Sequence, residues 1–341
     1  MRKKRNRYRL LWCSILAVGT LVAAIAAYLF IPVRVAPAEH ITWGTTFTKS
    51  YAEYLGLDWR KTYLAILDDL GMRAIRIGIN WDEVEPERGQ FHFDDYDWMV
   101  AQAEKRSVEI LPAVGFKLPR WPECRAPEWA MQLPQKAFEE AQLDMMRVVV
   151  THFKQSTAIK RWQMENEAFI EWFGDCPRMG DALARRKVEL VREADQSRPV
   201  LMTESGELST WLKSAFAADE VGLSLYRRVW SRWSGYSDYR FPPSYYTHKA
   251  RLINALVPGE KAFFITELQL EIWSPRGIPF QPVGEQMDNL TPSYLRETFD
   301  FARRTGFDTI YTWGAEWWYW LRAQGYPEYW EAVKSELAQD R

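Results

Sequence analysis

Histidine is scarce in this chain: His40, His92, His152 and His248 are the only four in 341 residues. None is spaced with another histidine or with a cysteine as metal ligands would be, which argues against a zinc hydrolase. No metal or other cofactor is expected. An excess of either charge is also missing. The 44 Lys and Arg are interspersed with 45 Asp and Glu, so nucleic acid is excluded as a natural partner. Cysteine numbers three, and Cys13 sits too early in its apolar stretch, behind the wrong residues, to read as a lipoprotein cysteine. There is no internal repeat, no low-complexity tract and no sign of a second folded domain. The first strand–helix turn lacks the Gly-rich phosphate fingerprint of a doubly wound nucleotide-binding sheet.

What is present begins at the N-terminus. Arg2, Lys3, Lys4, Arg5, Arg7 and Arg9 precede an uncharged stretch from Leu10 to Val33. A membrane-spanning helix needs about 20 apolar residues, and this stretch is long enough. The basic flank belongs on the cytoplasmic side, which puts the remainder outside. A cleaved signal peptide is the competing reading, because Ala36-Pro37-Ala38 resembles a small-residue cleavage site. Secretory apolar cores run about 7–15 residues, so the longer stretch favours an uncleaved anchor. The expected organisation is a basic cytoplasmic flank (1–9), a transmembrane anchor (10–33), a linker (34–40) and one folded domain (41–341).

Within that domain, short β-branched or aromatic runs alternate with longer helical patterns. The strands are expected at Ile41–Phe47, Ala74–Asn80, Val108–Val114, Arg161–Asn166, Val200–Thr203, Gly222–Tyr226, Phe263–Glu267 and Thr309–Trp313. Helical segments such as Trp59–Leu70, Lys136–Phe153 and Ser293–Arg304 lie between them, and Tyr329–Leu337 follows the last strand. Eight strand–helix units imply a parallel sheet that closes into a (β/α)8 TIM barrel. Active sites in barrels sit at the C-terminal strand ends. Here those ends combine polar and aromatic residues, the composition of a carbohydrate cleft. Eighteen tryptophans suit stacking on sugar faces, although a given one is as easily core packing.

Two glutamates stand out. Glu167 closes Arg161-Trp162-Gln163-Met164-Glu165-Asn166-Glu167, and Glu267 closes Ala262-Phe263-Phe264-Ile265-Thr266-Glu267. A carboxylate at the tip of a buried strand costs free energy unless something uses it, and a pair on two strands is what glycosidic bond cleavage needs. In the second strand Ile75, Ile77 and Ile79 suit the outer helical layer, which turns Arg76 into the barrel toward the strand-end acids. A purely structural ion pair is the alternative role for Arg76. In the sixth strand Gly222, Ser224 and Tyr226 share one face.

These residues resemble the glycoside hydrolases of clan A, retaining barrel enzymes that include cellulase-like and xylanase-like families. The resemblance covers most of the chain after residue 40. It implies that Glu167 is the general acid/base, that Asn166 binds the sugar 2-hydroxyl and that Glu267 is the nucleophile. Arg76 is placed like the clan's second-strand arginine, and Tyr226 and Trp313 like the tyrosine and tryptophan near the cleaved sugar, with Trp313 as its floor. The run Trp81 to Phe91 is typical of the clan's second loop. Glu204 is a candidate substrate contact, and Glu316 is expected in a surface salt bridge. The fifth strand end and Phe116-Lys117, where a histidine is often found, depart from the pattern and leave the sugar open.

The implied chemistry needs one protonated and one ionised carboxyl. Arg76 and Tyr226 would favour the ionised form of Glu267, whereas Glu167, expected beside Trp162 with no cation, would keep its proton. The reading is a membrane-anchored, extracytoplasmic retaining β-glycosidase. A transglycosylase with the same site, or an inactive glycan-binding protein, are the alternatives, and oligomeric state is open. Cys124 and Cys176, in loops after neighbouring strands of an exported domain, are expected to form a disulfide, with two independent thiols as the alternative.

Overall fold

The computed structural model describes residues 2–171, 174, 176–177 and 179–340, with only the backbone path for residues 2–11. Eight parallel strands close a barrel in the order β1-β10-β9-β6-β5-β4-β3-β2. They are β1 (Thr42–Phe47), β2 (Ala74–Gly78), β3 (Glu109–Val114), β4 (Trp162–Met164), β5 (Val200–Ser205), β6 (Glu220–Leu225), β9 (Ala262–Gln269) and β10 (Thr309–Trp313). All eight expected strands are present, with ends shifted by at most two residues. Between β6 and β9 an antiparallel ribbon pairs β7 (Arg228–Ser231) with β8 (Gly235–Asp238); its short, half-exposed strands carry little hydrophobic signal.

The barrel is filled in layers. Ala74, Leu111 and Tyr311 form a small apolar cluster of their own. Gly44 lies beneath Tyr311, whose ring would be 2.7 Å from a Cβ at that position. Arg76, two residues beyond Ala74 on β2, is completely buried, while Ile75, Ile77 and Ile79 join the main core between barrel and helices. The expected alternation therefore holds. Outside, helices such as Trp59–Asp68, Gln135–Phe153 and Pro292–Arg303 pack their apolar faces on the strands. Asp58 and Thr291 cap two of them through backbone N–H groups, satisfying donors that a helix start leaves free. Two helices follow β10 rather than one: Ala315–Ala323 precedes Glu328–Leu337, and Gly325 in the left-handed region with Pro327 separates them.

The N-terminal segment is one helix, Arg2–Phe30. Its apolar part, Trp12–Phe30, is 19 residues long with mean hydropathy 2.2, and none of it is buried; only Leu29 is half-covered. At 1.5 Å per residue it is about 28 Å long, close to the thickness of a bilayer core. The helix stops at Phe30, short of Val33, because Pro32 lacks an N–H and disfavours helical backbone before it. The side chains of the basic flank lie outside the described residues. The helix end rests on the barrel: Tyr28 stacks on His248 at 4.4 Å, and Phe30 packs on Tyr245. Cys124 and Cys176 are joined in a disulfide with their Cα atoms 5.6 Å apart, which ties the loop after β3 to the loop after β4 as expected.

Candidate active site

A cleft of about 1180 Å³ opens at the C-terminal strand ends. Glu167, Glu267, Asn166, Tyr226 and Trp313 all line it, and Arg76 lies directly behind them.

Glu267 owes its position to an irregularity in β9. Leu223 pairs with Ile265, but Ser224 pairs with Glu267, and β10 shows a matching shift. Thr266 is thus an extra residue. Gly222, on the neighbouring strand, has its Cβ position 2.5 Å from the Thr266 side chain and 2.9 Å from that of Thr203. Those three residues therefore face the barrel interior together. Strict alternation would then send Glu267 outward; the bulge re-aims it into the mouth. There Arg76 Nη1 donates to Glu267 Oε1 at 2.7 Å, and the Tyr226 hydroxyl donates to Oε2 at 3.1 Å. The same guanidinium donates through Nη2 to Asn166 Oδ1 and through Nε to Gln163 Oε1, each at 2.7 Å. One buried cation thus fixes three side chains. Arg76→Met leaves the buried Glu267 without its cation and is expected to cost about 3–5 kcal/mol. Chemical denaturation of the variant against the parent checks this.

Glu167 is held by strained backbone. Both Glu165 (φ 58°) and Glu167 (φ 45°) occupy the left-handed region, uncommon for side-chain-bearing residues and concentrated at functional sites. The turn is stabilised from below. Buried Glu165 accepts from the backbone N–H groups of Phe116 and Lys117 and pairs with the buried ammonium of Lys187. A side chain at Gly115 (φ 146°) would stand 2.5 Å from the Glu165 carboxyl carbon, so only glycine fits there. Above it, the Glu167 N–H donates to Thr203 Oγ1 at 2.8 Å, and the Ser224 hydroxyl donates to Glu167 Oε1 at 2.7 Å. Burial, reinforced by the charge of Glu267, pushes the Glu167 carboxyl up to about 8; the Ser224 bond works against that rise.

The surroundings of Glu167 differ from expectation in two ways. Trp162 is not its neighbour. Gln163 faces inward to Arg76, so Trp162 faces the helical layer, where its indole donates to Asp195 at 2.9 Å. A cation does stand close: Lys117 donates to the carbonyls of Glu167 and Ile170 and pairs with Glu123 at 3.3 Å. Lys117 thus braces the backbone that carries Glu167.

Glu204 is not brought to the cleft. Thr203 faces inward, so Glu204 points to the helices and accepts from Ser214 at 2.7 Å. Glu207, past the strand end, lines the cleft instead. It accepts from the Tyr246 hydroxyl at 2.5 Å, and burial pushes it up to about 7. Glu316 is no surface residue: it is fully buried, accepts from the Thr48 N–H at 2.6 Å and faces Arg120 at 3.3 Å. Arg120 and Glu271 are further cleft residues that sequence reasoning missed. Glu271 had a signal, since Glu267, Gln269 and Glu271 recur at every second position beyond the bulge. Arg120, in an irregular loop, had none. Its guanidinium lies 4.0 Å over Trp313, so that ring lines the cleft with one face covered. Among the described residues no group of three or more His, Cys, Asp or Glu side chains could hold a metal ion.

No family model matches this sequence. Solved structures do resemble the chain. Xylanase 10B from Thermotoga maritima is 17% identical with a TM-score of 0.59, covering 89% of this chain and 98% of that one. GH5_18 from Bifidobacterium longum subsp. longum is 14% identical at a TM-score of 0.58, over 81% of this chain and 70% of that one. The exo-beta-1,4-mannosidase Op5Man5 from an Opitutaceae bacterium is 15% identical at 0.54, over 82% of this chain and 53% of that one. The fold is shared with them. It is the (β/α)8 TIM barrel expected from the alternation of strands and helices.

Proposed function

We propose that this protein is a retaining β-glycoside hydrolase, with Glu267 as nucleophile and Glu167 as acid/base. The observation that carries the reading is the unequal environment of two carboxyls in one cleft. Glu267 accepts from a buried guanidinium and from a tyrosine hydroxyl. Glu167 is raised to about 8 by burial and so holds its proton at neutral pH. In the first step a Glu267 oxygen attacks the anomeric carbon, and Glu167 gives its proton to the departing oxygen. In the second step Glu167, now a carboxylate, takes a proton from water as the water attacks the same carbon and releases Glu267. Arg76 and Thr203 occupy Asn166 Oδ1, which leaves the donor end of that amide for the sugar 2-hydroxyl. Neighbours named as a xylanase and an exo-beta-1,4-mannosidase support the glycosidase class. The test is to assay the detergent-solubilised full chain on a panel of β-linked glycans and aryl β-glycosides. Sugar release by the parent and none by Glu267→Ala is expected; release from no substrate contradicts the reading.

The N-terminal helix is proposed as an uncleaved anchor, with the barrel outside the cytoplasm. The helix is of spanning length, and the disulfide between Cys124 and Cys176 suits an oxidising compartment. A C-terminal reporter active only outside the cytoplasm should give signal. A silent reporter on an expressed, folded fusion contradicts the topology, and a mature chain starting near Glu39 indicates cleavage.

A further inference from the structure

The loop after β3 does not follow the rim of the barrel; it crosses the mouth. Arg120 reaches Tyr51 in the helix Lys49–Tyr54 after β1, Glu271 just beyond β9, and both Trp313 and Glu316 at the end of β10. Its guanidinium lies between the rings of Tyr51 and Trp313, 3.8 and 4.0 Å from their centres. Nη1 donates to Glu271 at 2.5 Å and Nη2 to Glu316 at 3.3 Å. In the barrel, β2 separates β3 from β1, and β10 and β9 lie further round still. Arg120 is therefore a strut across the opening. Arg125 adds a second tie, donating to Ser50 at 2.6 Å and to Asp82 at 3.0 Å. Beneath these ties Thr48, Asn80 and Trp81, at the ends of β1 and β2, are all buried. The cleft opens over β4, β5, β6 and β9, where Asn166, Glu207, Ser224 and Glu267 line it, and Tyr51, Arg120 and Arg125 bound it on the strut side.

From this we infer that the enzyme acts from chain ends: the Arg120 strut forms an end wall that admits only the terminal, non-reducing sugar of a β-linked glycan. The inference rests on the glycosidase reading above. The acid protonates the oxygen leading to the leaving group, so that portion extends past Glu167 over the open side. The ring attacked by Glu267 lies on the other side, toward Trp313, where the strut stands. A second ring beyond it would have to displace Arg120 from between two aromatic faces and from two carboxylates. The strut's own polar atoms are buried as well. Arg120 Nε and Glu271 Oε2 are buried without a partner in the protein. In each turnover the C1–O bond to the rest of the glycan breaks, water supplies hydroxyl to C1 and hydrogen to the departing oxygen, and one monosaccharide leaves.

The experiment uses the full chain in detergent and a β-linked hexasaccharide of the sugar whose aryl glycoside it cleaves. The first products should be the monosaccharide and the pentasaccharide. Blocking the non-reducing ring with a 4,6-O-benzylidene group should slow cleavage about 100-fold, because the wall rejects the added bulk. Early di- or trisaccharides, or cleavage of the capped substrate within about threefold of the free one, overturn the inference. Arg120→Ala should recover at least about tenfold of the lost activity on the capped substrate. Because that change also unpairs two acids, calorimetry on Glu167→Gln supplies a separate readout. The free hexasaccharide should bind about tenfold tighter than the capped one, and equal affinity overturns the wall. Preferential binding of free ends without any hydrolysis would sink the hydrolase reading and leave the wall standing. Binding of neither would sink both.

Discussion

Glu267→Ala is expected to reduce kcat by on the order of 10⁴-fold or more, since no other carboxylate can take over attack on the anomeric carbon. Azide should restore turnover on an aryl β-glycoside with a good leaving group. It enters the space vacated on the Glu267 face and gives a glycosyl azide of inverted, α, configuration. Rescue without inversion would place the nucleophile elsewhere. The bulge at Thr266 serves the same attack: with that residue left out of the pairing, Glu267 stands opposite Ser224 and faces the mouth.

Glu167→Ala should separate substrates by leaving group. Aryl glycosides whose phenol leaves without help should keep much of their first-step rate, while alkyl glycosides and oligosaccharides lose about 10²–10⁴-fold, the usual worth of general acid catalysis. The pH profile follows from the same proton. Glu167 donates only when protonated, and it is pushed up to about 8, first by burial and then by the charge of Glu267. Consequently kcat/KM should fall as pH rises through about 8. The charge of Glu267 raises that value, so Glu267→Gln should lower it, as an NMR titration of labelled Glu167 would register. An unchanged titration in Glu267→Gln would mean that the two groups do not sense each other.

Much of this is legible in the sequence. The eight strands follow from short apolar runs bounded by helical patterns, and the inward turn of Arg76 follows from the isoleucines on either side of it. Other parts were hidden for physical reasons. Ile265-Thr266-Glu267-Leu268 reads as clean alternation, and nothing local reveals that both strands flanking β9 skip a residue there. Glu204 stands at a strand end in the sequence, but its face is set by its neighbours. Once Thr203 is inward beside Gly222, its neighbour must point to the helices, and Glu207 beyond the strand takes the cleft. The same alternation places Trp162 on the helical side, because Gln163 faces Arg76. The strut is a different case. Arg120 lies in a loop without periodicity, and its partners are scattered from Tyr51 to Glu316, so only the closed barrel brings them within reach. Glu165 carries no signal of its own beside Asn166-Glu167, yet with Gly115 and Lys187 it holds the turn on which Glu167 sits.

The anomeric configuration of the first product decides the central claim most directly. Proton NMR of an aryl β-glycoside digest, recorded before mutarotation, should show the β-anomer of the released sugar forming first, because two displacements at one carbon retain configuration. Initial appearance of the α-anomer would contradict it, since a single displacement by water leaves no role for Glu267 as nucleophile.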